Sequence, residues 1–145
     1  MKKYIILFAA LAICNLAFSQ KVKESDVPAV VKESFEKRYP GVKAEKWELE
    51  DGNYEIEFEK GEVETSVVFN AQGNLLEEEQ EIEVSALPAE IKTFCGLNYA
   101  EYKITEAAKI TTSDNTTQYE AELKKGKEKF DLIFDASGNF LRKAN

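Results

Sequence analysis

The chain spells out one pattern twice, and that duplication limits its fold more than any other feature. Val27-Pro28-Ala29 returns sixty positions later as Leu87-Pro88-Ala89. At the same offset Val31 meets Ile91, Lys32 meets Lys92, Phe35 meets Cys95 and Tyr39 meets Tyr99. Further along the offset becomes sixty-five. Tyr54-Glu55-Ile56-Glu57-Phe58 meets Tyr119-Glu120-Ala121-Glu122-Leu123, and Phe69-Asn70-Ala71-Gln72-Gly73-Asn74 meets Phe134-Asp135-Ala136-Ser137-Gly138-Asn139. The change of offset puts a five-residue insertion around Thr111 to Thr117. A fixed repeat of this length means one supersecondary unit used twice.

Each unit opens with a helix. Val27, Val30, Val31, Phe35 and Tyr39 recur at three- and four-residue steps, which is one helix face. Ser25 and Asp26 are suited to cap it, Pro28 to its first turn, and Pro40-Gly41 to its end. Leu87, Ile91, Phe94, Cys95 and Tyr99 outline the second helix. Strands follow, marked by alternation of apolar and charged residues. In the first unit they are Trp47 to Glu50, Tyr54 to Glu59, Val63 to Phe69 and Leu75 to Val84; in the second, Tyr102 to Thr111, Gln118 to Lys124, Lys129 to Phe134 and a stub from Asn139. The expected class is α+β: a helix and a four-strand antiparallel meander, twice, with the helices on the apolar sheet face. The units divide at 20–84 and 85–145, packing as one globular body.

The first residues read as an address. Met1-Lys2-Lys3 is a basic start, and Tyr4 to Phe18 is almost unbroken apolar sequence, too short to span a bilayer comfortably. Ala17 and Ser19 are the small residues a signal peptidase needs, so residues 1–19 are expected to be a signal peptide cleaved after Ser19. An uncleaved anchor and a lipid on Cys14 are the alternatives; Ile13 stands where a lipidation signal needs a small residue. The expected location is periplasmic or secreted, with no stable membrane insertion after cleavage. Cys95 is then the sole cysteine, so no internal disulfide forms.

A helix opening on Val-Pro and closing near Tyr39-Pro40-Gly41, a strand with Trp47, the Tyr54-x-Ile56-x-Phe58 strand and the Phe134-Asp135-Ala136-x-Gly138-Asn139 hairpin together resemble the PepSY-like family of exported bacterial proteins. That family is described as similar to β-lactamase inhibitor protein. The likeness covers nearly the whole chain after the leader, in two copies. The second copy departs from it at Cys95-Gly96 and lacks an aromatic counterpart to Trp47. The resemblance implies helix-backed sheet in tandem, an open sheet surface for docking, and no catalytic residues.

Composition narrows function further. The chain has no histidine, which removes the commonest general base, metal ligand and nucleophile-activating partner. Its net charge of −8 argues against nucleic acid. The acidity is uneven: residues 20–84 carry 8 Lys/Arg against 18 Asp/Glu, whereas residues 85–145 carry 9 against 9. Glu48, Glu50, Glu55, Glu57, Glu59 and Glu64 fall at alternate strand positions, on the side away from the helices. They are either a solvated face with protective edge charges or a docking surface, and the first unit should carry any electrostatic docking. Trp47 and Tyr54 are core residues or, as aromatics, binding hot spots. Asp135 and Asn139, with Asn70 and Asn74, read as turn chemistry rather than a calcium loop. Cys95 reads as core, the lysines at 124, 125, 127 and 129 as a solvated hairpin tip, and the sequon Asn115-Thr116-Thr117 as an exposed loop. The expected function is non-enzymatic recognition of another protein through the sheet, with no catalytic residue, cofactor or metal ligand. Inhibition of an exported peptidase or other hydrolase by occlusion is the first alternative. Cation binding by an acidic envelope protein is the second.

Overall fold

A computed structural model describes residues 20–144. The expected leader, its cleavage after Ser19 and Cys14 lie outside these residues. Two helices, α1 (Ala29–Arg38) and α2 (Ala89–Asn98), share one face of a single sheet. The strands are β1 (Gln20–Lys21), β2 (Lys46–Glu50), β3 (Asn53–Lys60), β4 (Val63–Phe69), β5 (Leu75–Glu81), β6 (Lys103–Thr112), β7 (Thr117–Lys125), β8 (Glu128–Asp135) and β9 (Phe140–Ala144). They lie side by side in chain order, every neighbouring pair antiparallel. The α+β meander expected from the sequence is therefore present, as one continuous sheet.

Continuity comes from β5. Gln80-Glu81-Ile82 repeats Gln20-Lys21-Val22 at the sixty-residue offset. The Ile82 N–H donates to the Ala107 carbonyl at 2.9 Å, just as the Val22 N–H donates to the Trp47 carbonyl at 2.9 Å. The strand that closes the first unit thus also opens the second. Beyond Ile82 comes a 3-10 turn, Val84–Ala86, so a division at residue 84 falls after the shared strand rather than between two sheets. The insertion near Thr111 serves this join. β6 runs ten residues to Thr112, whereas its counterpart β2 has five and stops at Glu50. Glu77, Glu78 and Glu79 pair with Thr112, Thr111 and Ile110, largely the added length.

Ser25 and Asp26 do not cap α1. They sit in a 3-10 turn, Glu24–Asp26, and Pro28 takes the N-cap position with no side-chain hydrogen bond. The proline's fixed φ sets the chain up for the helix while its missing N–H leaves no orphan donor.

Each helix seals its own core. Under α1, Val31 and Phe35 meet Trp47, Ile56, Phe58, Val67 and Phe69. Phe35 is the hub, with ring centroids 5.2 Å from Phe58, 5.5 Å from Tyr39 and 5.8 Å from Trp47. In the second core that hub is Cys95, and Ala107 stands where Trp47 did. The lost volume returns from other positions. Phe130 replaces Thr65 and Tyr102 replaces Val42, with Phe130 touching Tyr99 at 5.4 Å and Tyr102 at 5.1 Å. The second copy's departures from the first are thus one redistribution of volume, which a close-packed interior tolerates better than a net loss. Between the cores the helix face is polar. The Glu78 carboxylate accepts from Tyr39 Oη at 2.7 Å and from the Arg38 guanidinium at 3.0 Å, with the Lys60 ammonium 3.6 Å away. Burial alone would push the Glu78 carboxyl up, but these donors hold it below its ordinary value. No helix among the described residues is long and apolar enough to cross a membrane.

Candidate docking face

Strand alternation places all six glutamates singled out in the sequence on the sheet face opposite the helices. Register pairs Glu48 with Glu55, Glu57 with Lys46, Glu50 with Asn53 and Glu59 with Glu64. Lys46 relieves the repulsion, lying 2.8 Å from Glu57 and 3.0 Å from Glu48. Trp47 and Tyr54 point the other way. Trp47 is buried under α1 and Tyr54 packs against the same core, so neither ring lies on this face. The reason is parity: Trp47 pairs with Ile56 and Tyr54 with Leu49, both in the apolar row.

The face extends beyond the first unit. A hollow of about 390 Å³ crosses β3 to β7, and Glu55, Glu57 and Glu64 line it from the first unit. Glu79 and Glu81 enter from the shared strand, Glu106 and Glu120 from the second unit. The first unit, expected to carry any electrostatic docking, shares this depression with the second, because β5 pairing with β6 brings both units to it. Of the residues lining it only Ala107 and Ala108 are apolar. On this same face, which no helix covers, Ala108, Ile110 and, on β8, Ile133 are only 6%, 4% and 1% exposed. Ala108 and Ile110 occupy the places of Glu48 and Glu50, so here the second unit swaps carboxylates for buried hydrocarbon.

Burial governs the carboxyls at the floor. It pushes Glu79 up to about 7, helped by the negative charges of Glu55, Glu77 and Asp131. It pushes Glu120 up to about 8, with Glu79 and Asp131 adding to the rise and Arg142 opposing it. Glu55 is raised mainly by burial, against a hydrogen bond from Ser66, and Asp131 is raised by burial. Near neutral pH the deepest part of this acidic face is thus substantially protonated.

Sequence reasoning missed Glu79, Glu81, Glu106 and Glu120 as members of one site. The glutamate run 77–83 and the repeat match of Glu120 to Glu55 were visible, but the join between β5 and β6 was not. The turns behave as local chemistry predicts. Asn70 Oδ1 accepts the N–H groups of Gln72 and Asn74 at 3.0 Å each, and Asp135 Oδ1 accepts those of Ser137 and Asn139 at 2.9 and 2.8 Å. Among the described residues no group of three or more Cys, Asp or Glu is arranged to hold a metal ion. Lys125 pairs with Glu101 and Lys129 with Glu122 at 2.7 Å, so two of the four hairpin-tip lysines are engaged.

A family profile described as "Putative beta-lactamase-inhibitor-like, PepSY-like" matches residues 17–77 and 52–142. The chain belongs to the PepSY-like family. The two matches overlap over residues 52–77, which hold β3, β4 and the start of β5. Among solved structures, a BLIP-like protein from Bacteroides fragilis is 25% identical over 80% of this PepSY-like chain and 84% of its own, with a TM-score of 0.62. A DUF2874 family protein from Bacteroides uniformis is 17% identical, covers 81% and 88%, and has a TM-score of 0.69. A protein from Bacteroides eggerthii, named as a candidate periplasmic protein, is 16% identical over 82% and 88% with a TM-score of 0.71. No curated protein sequence gives a significant match.

Proposed function

We propose that this PepSY-like protein is an exported, non-enzymatic module that recognises another protein through the sheet face opposite its helices. The observation that carries the reading is the uncovered hollow on that face, to which both units bring carboxylates. Charge of one sign concentrated in a depression favours a partner of the opposite sign. Export rests on the leader-like segment Met1 to Ser19. Inhibition of a hydrolase by occlusion is the second reading, favoured by the inhibitor-like description of the family. The cation-binding alternative has no arranged ligand cluster among the described residues to support it.

The test compares variants rather than mere capture. Immobilised wild type, a face variant (Glu81→Arg with Glu106→Arg) and a helix-side control (Glu33→Lys) are exposed to envelope extract. The expected result is a set of proteins retained by wild type and control but lost from the face variant. Equal retention by all three sinks the proposal. Stoichiometric loss of a retained enzyme's rate then separates inhibition from simple binding.

A further inference from the structure

A second surface lies at the far edge of the sheet and is independent of the face described above. We propose that β9 accepts an extended acidic segment of another protein as an added strand, with an apolar side chain of that segment seated against α2. Among the described residues β9 is the last strand in the sheet order. One side of it therefore presents backbone N–H and carbonyl groups with no ladder partner. Its counterpart in the first unit, β5, is paired on both sides, with β4 and with β6. The molecule thus already contains the arrangement that an added strand would copy, in β6 lying antiparallel along β5.

Beside this edge the second unit is more apolar than the first. Phe94, Leu97 and Phe140 stand where the first unit has Ser34, Lys37 and Leu75. Leu97 is 79% exposed, Leu141 48% and Phe140 40%. The rings of Phe94 and Phe140 stack, with centroids 5.2 Å apart and planes 10° from parallel. Together with Leu97 they line another hollow, of about 540 Å³, between α2 and the turn that leads into β9. Exposed hydrocarbon grouped in this way marks an interaction site. Alongside an open strand it suits strand addition, in which the main chain supplies ladder bonds and a side-chain pocket supplies selectivity.

Charge selects the occupant. Arg142 and Lys143 are exposed on β9 at the places that Glu77 and Glu78 hold on β5, so this edge carries the opposite sign. Arg142 reaches the Gln118 side-chain oxygen at 3.5 Å and the Lys143 ammonium lies over the Phe130 ring. Neither forms an ion pair among the described residues. Carboxylates on an incoming strand would complete cross-strand pairs of opposite charge. A second copy of this chain fits poorly, because β9 antiparallel to β9 sets these cations against one another. Direction orders the partner's residues. An antiparallel strand passes Lys143 and Arg142 before it reaches Phe140, so its acidic pair precedes its apolar residue.

The probe is a labelled peptide with two glutamates ahead of a phenylalanine. It is compared with a version carrying lysines for the glutamates and with one N-methylated at alternate residues, which removes ladder donors. Binding to the protein as isolated from cells is read by fluorescence anisotropy. The acidic peptide should bind about tenfold tighter than the lysine version, by a margin that narrows in high salt, and N-methylation should cost it about tenfold. Arg142→Glu with Lys143→Glu should exchange the preference between the two peptides, an outcome that mere damage to the fold would not give. Leu97→Ser should weaken the acidic peptide and leave circular dichroism unchanged. Equal binding of the acidic and lysine peptides overturns the inference, as does undiminished binding after N-methylation or no peptide binding at all. Retention of the protein by anionic vesicles in place of the peptide assigns the edge to a membrane surface and overturns it too. So does a dimer of the wild type cross-linked through β9.

Discussion

At the scale of single residues, the titration of two carboxyls should shape the stability of the whole chain. Glu79 and Glu120 hold their protons more tightly when folded than the ordinary glutamate value of 4.5 allows when unfolded. Their contribution is therefore fully present below about pH 4.5 and is lost as pH rises through about 7 and 8. Glu78 has the opposite sign, because its folded value is lowered, so its contribution is lost in acid. For these three groups together, stability is therefore greatest near pH 4.5 and falls as pH rises toward 8. Replacing Glu79 and Glu120 by Gln should leave urea stability near pH 5 little changed and raise it clearly at pH 9, because only the wild type must then give up protons held above the ordinary glutamate value. A variant no more stable than wild type at pH 9 would show that these carboxyls ionise freely. Alternation placed the first unit's carboxylates on the right face from sequence alone. The depth of Glu79 and Glu120 was hidden, because burial on a strand's wet face depends on which strands come to lie alongside it, and the join of β5 to β6 leaves no period in the sequence.

At the scale of elements, the hairpin glycines separate two kinds of constraint. Gly73 has φ +78°, and a Cβ there would lie 2.6 Å from Ser34 Oγ and 2.9 Å from the Val30 carbonyl oxygen on α1. Gly52 has φ +81° but open space around it. Gly52→Ala should cost about 1 kcal/mol from backbone strain alone. Gly73→Ala must also move the helix off the β4–β5 hairpin and should cost roughly 3 kcal/mol, read as the larger fall in urea midpoint. Equal losses would mean that the hairpin and helix separate without penalty. The helices and eight of the nine strands were legible to within a few residues, because periodicity and turn residues are local. β1 was not expected, having only Gln20 and Lys21 and depending on β2 for its pairing. The double role of β5 escaped for a related reason: Leu75 to Val84 reads as one strand whichever neighbours it has.

At the scale of the whole molecule, each core carries its own reporter. Trp47, the single tryptophan, lies under α1. Cys95 projects from α2 into the second core, its thiol pushed up to about 11 by burial. Tryptophan fluorescence should therefore follow the first unit in urea while cysteine labelling follows the second. The two transitions should coincide, because neither unit can release β5 without stripping a ladder from the other. Separated midpoints would make the units independent folders. The long β6–β7 hairpin bears on more than this coupling. Duplicated strand modules carry a standing hazard: the edge that joins unit to unit inside a chain could join chain to chain without limit. Here β9 stands in the place of β5, but its receiving counterpart at the front, β2, turns away at Glu50. A second molecule arriving head to tail finds the lock missing the wards that β6 gained by insertion. The sequence change that fused two modules into one sheet thus makes the inner join differ from the edge that a second copy would meet.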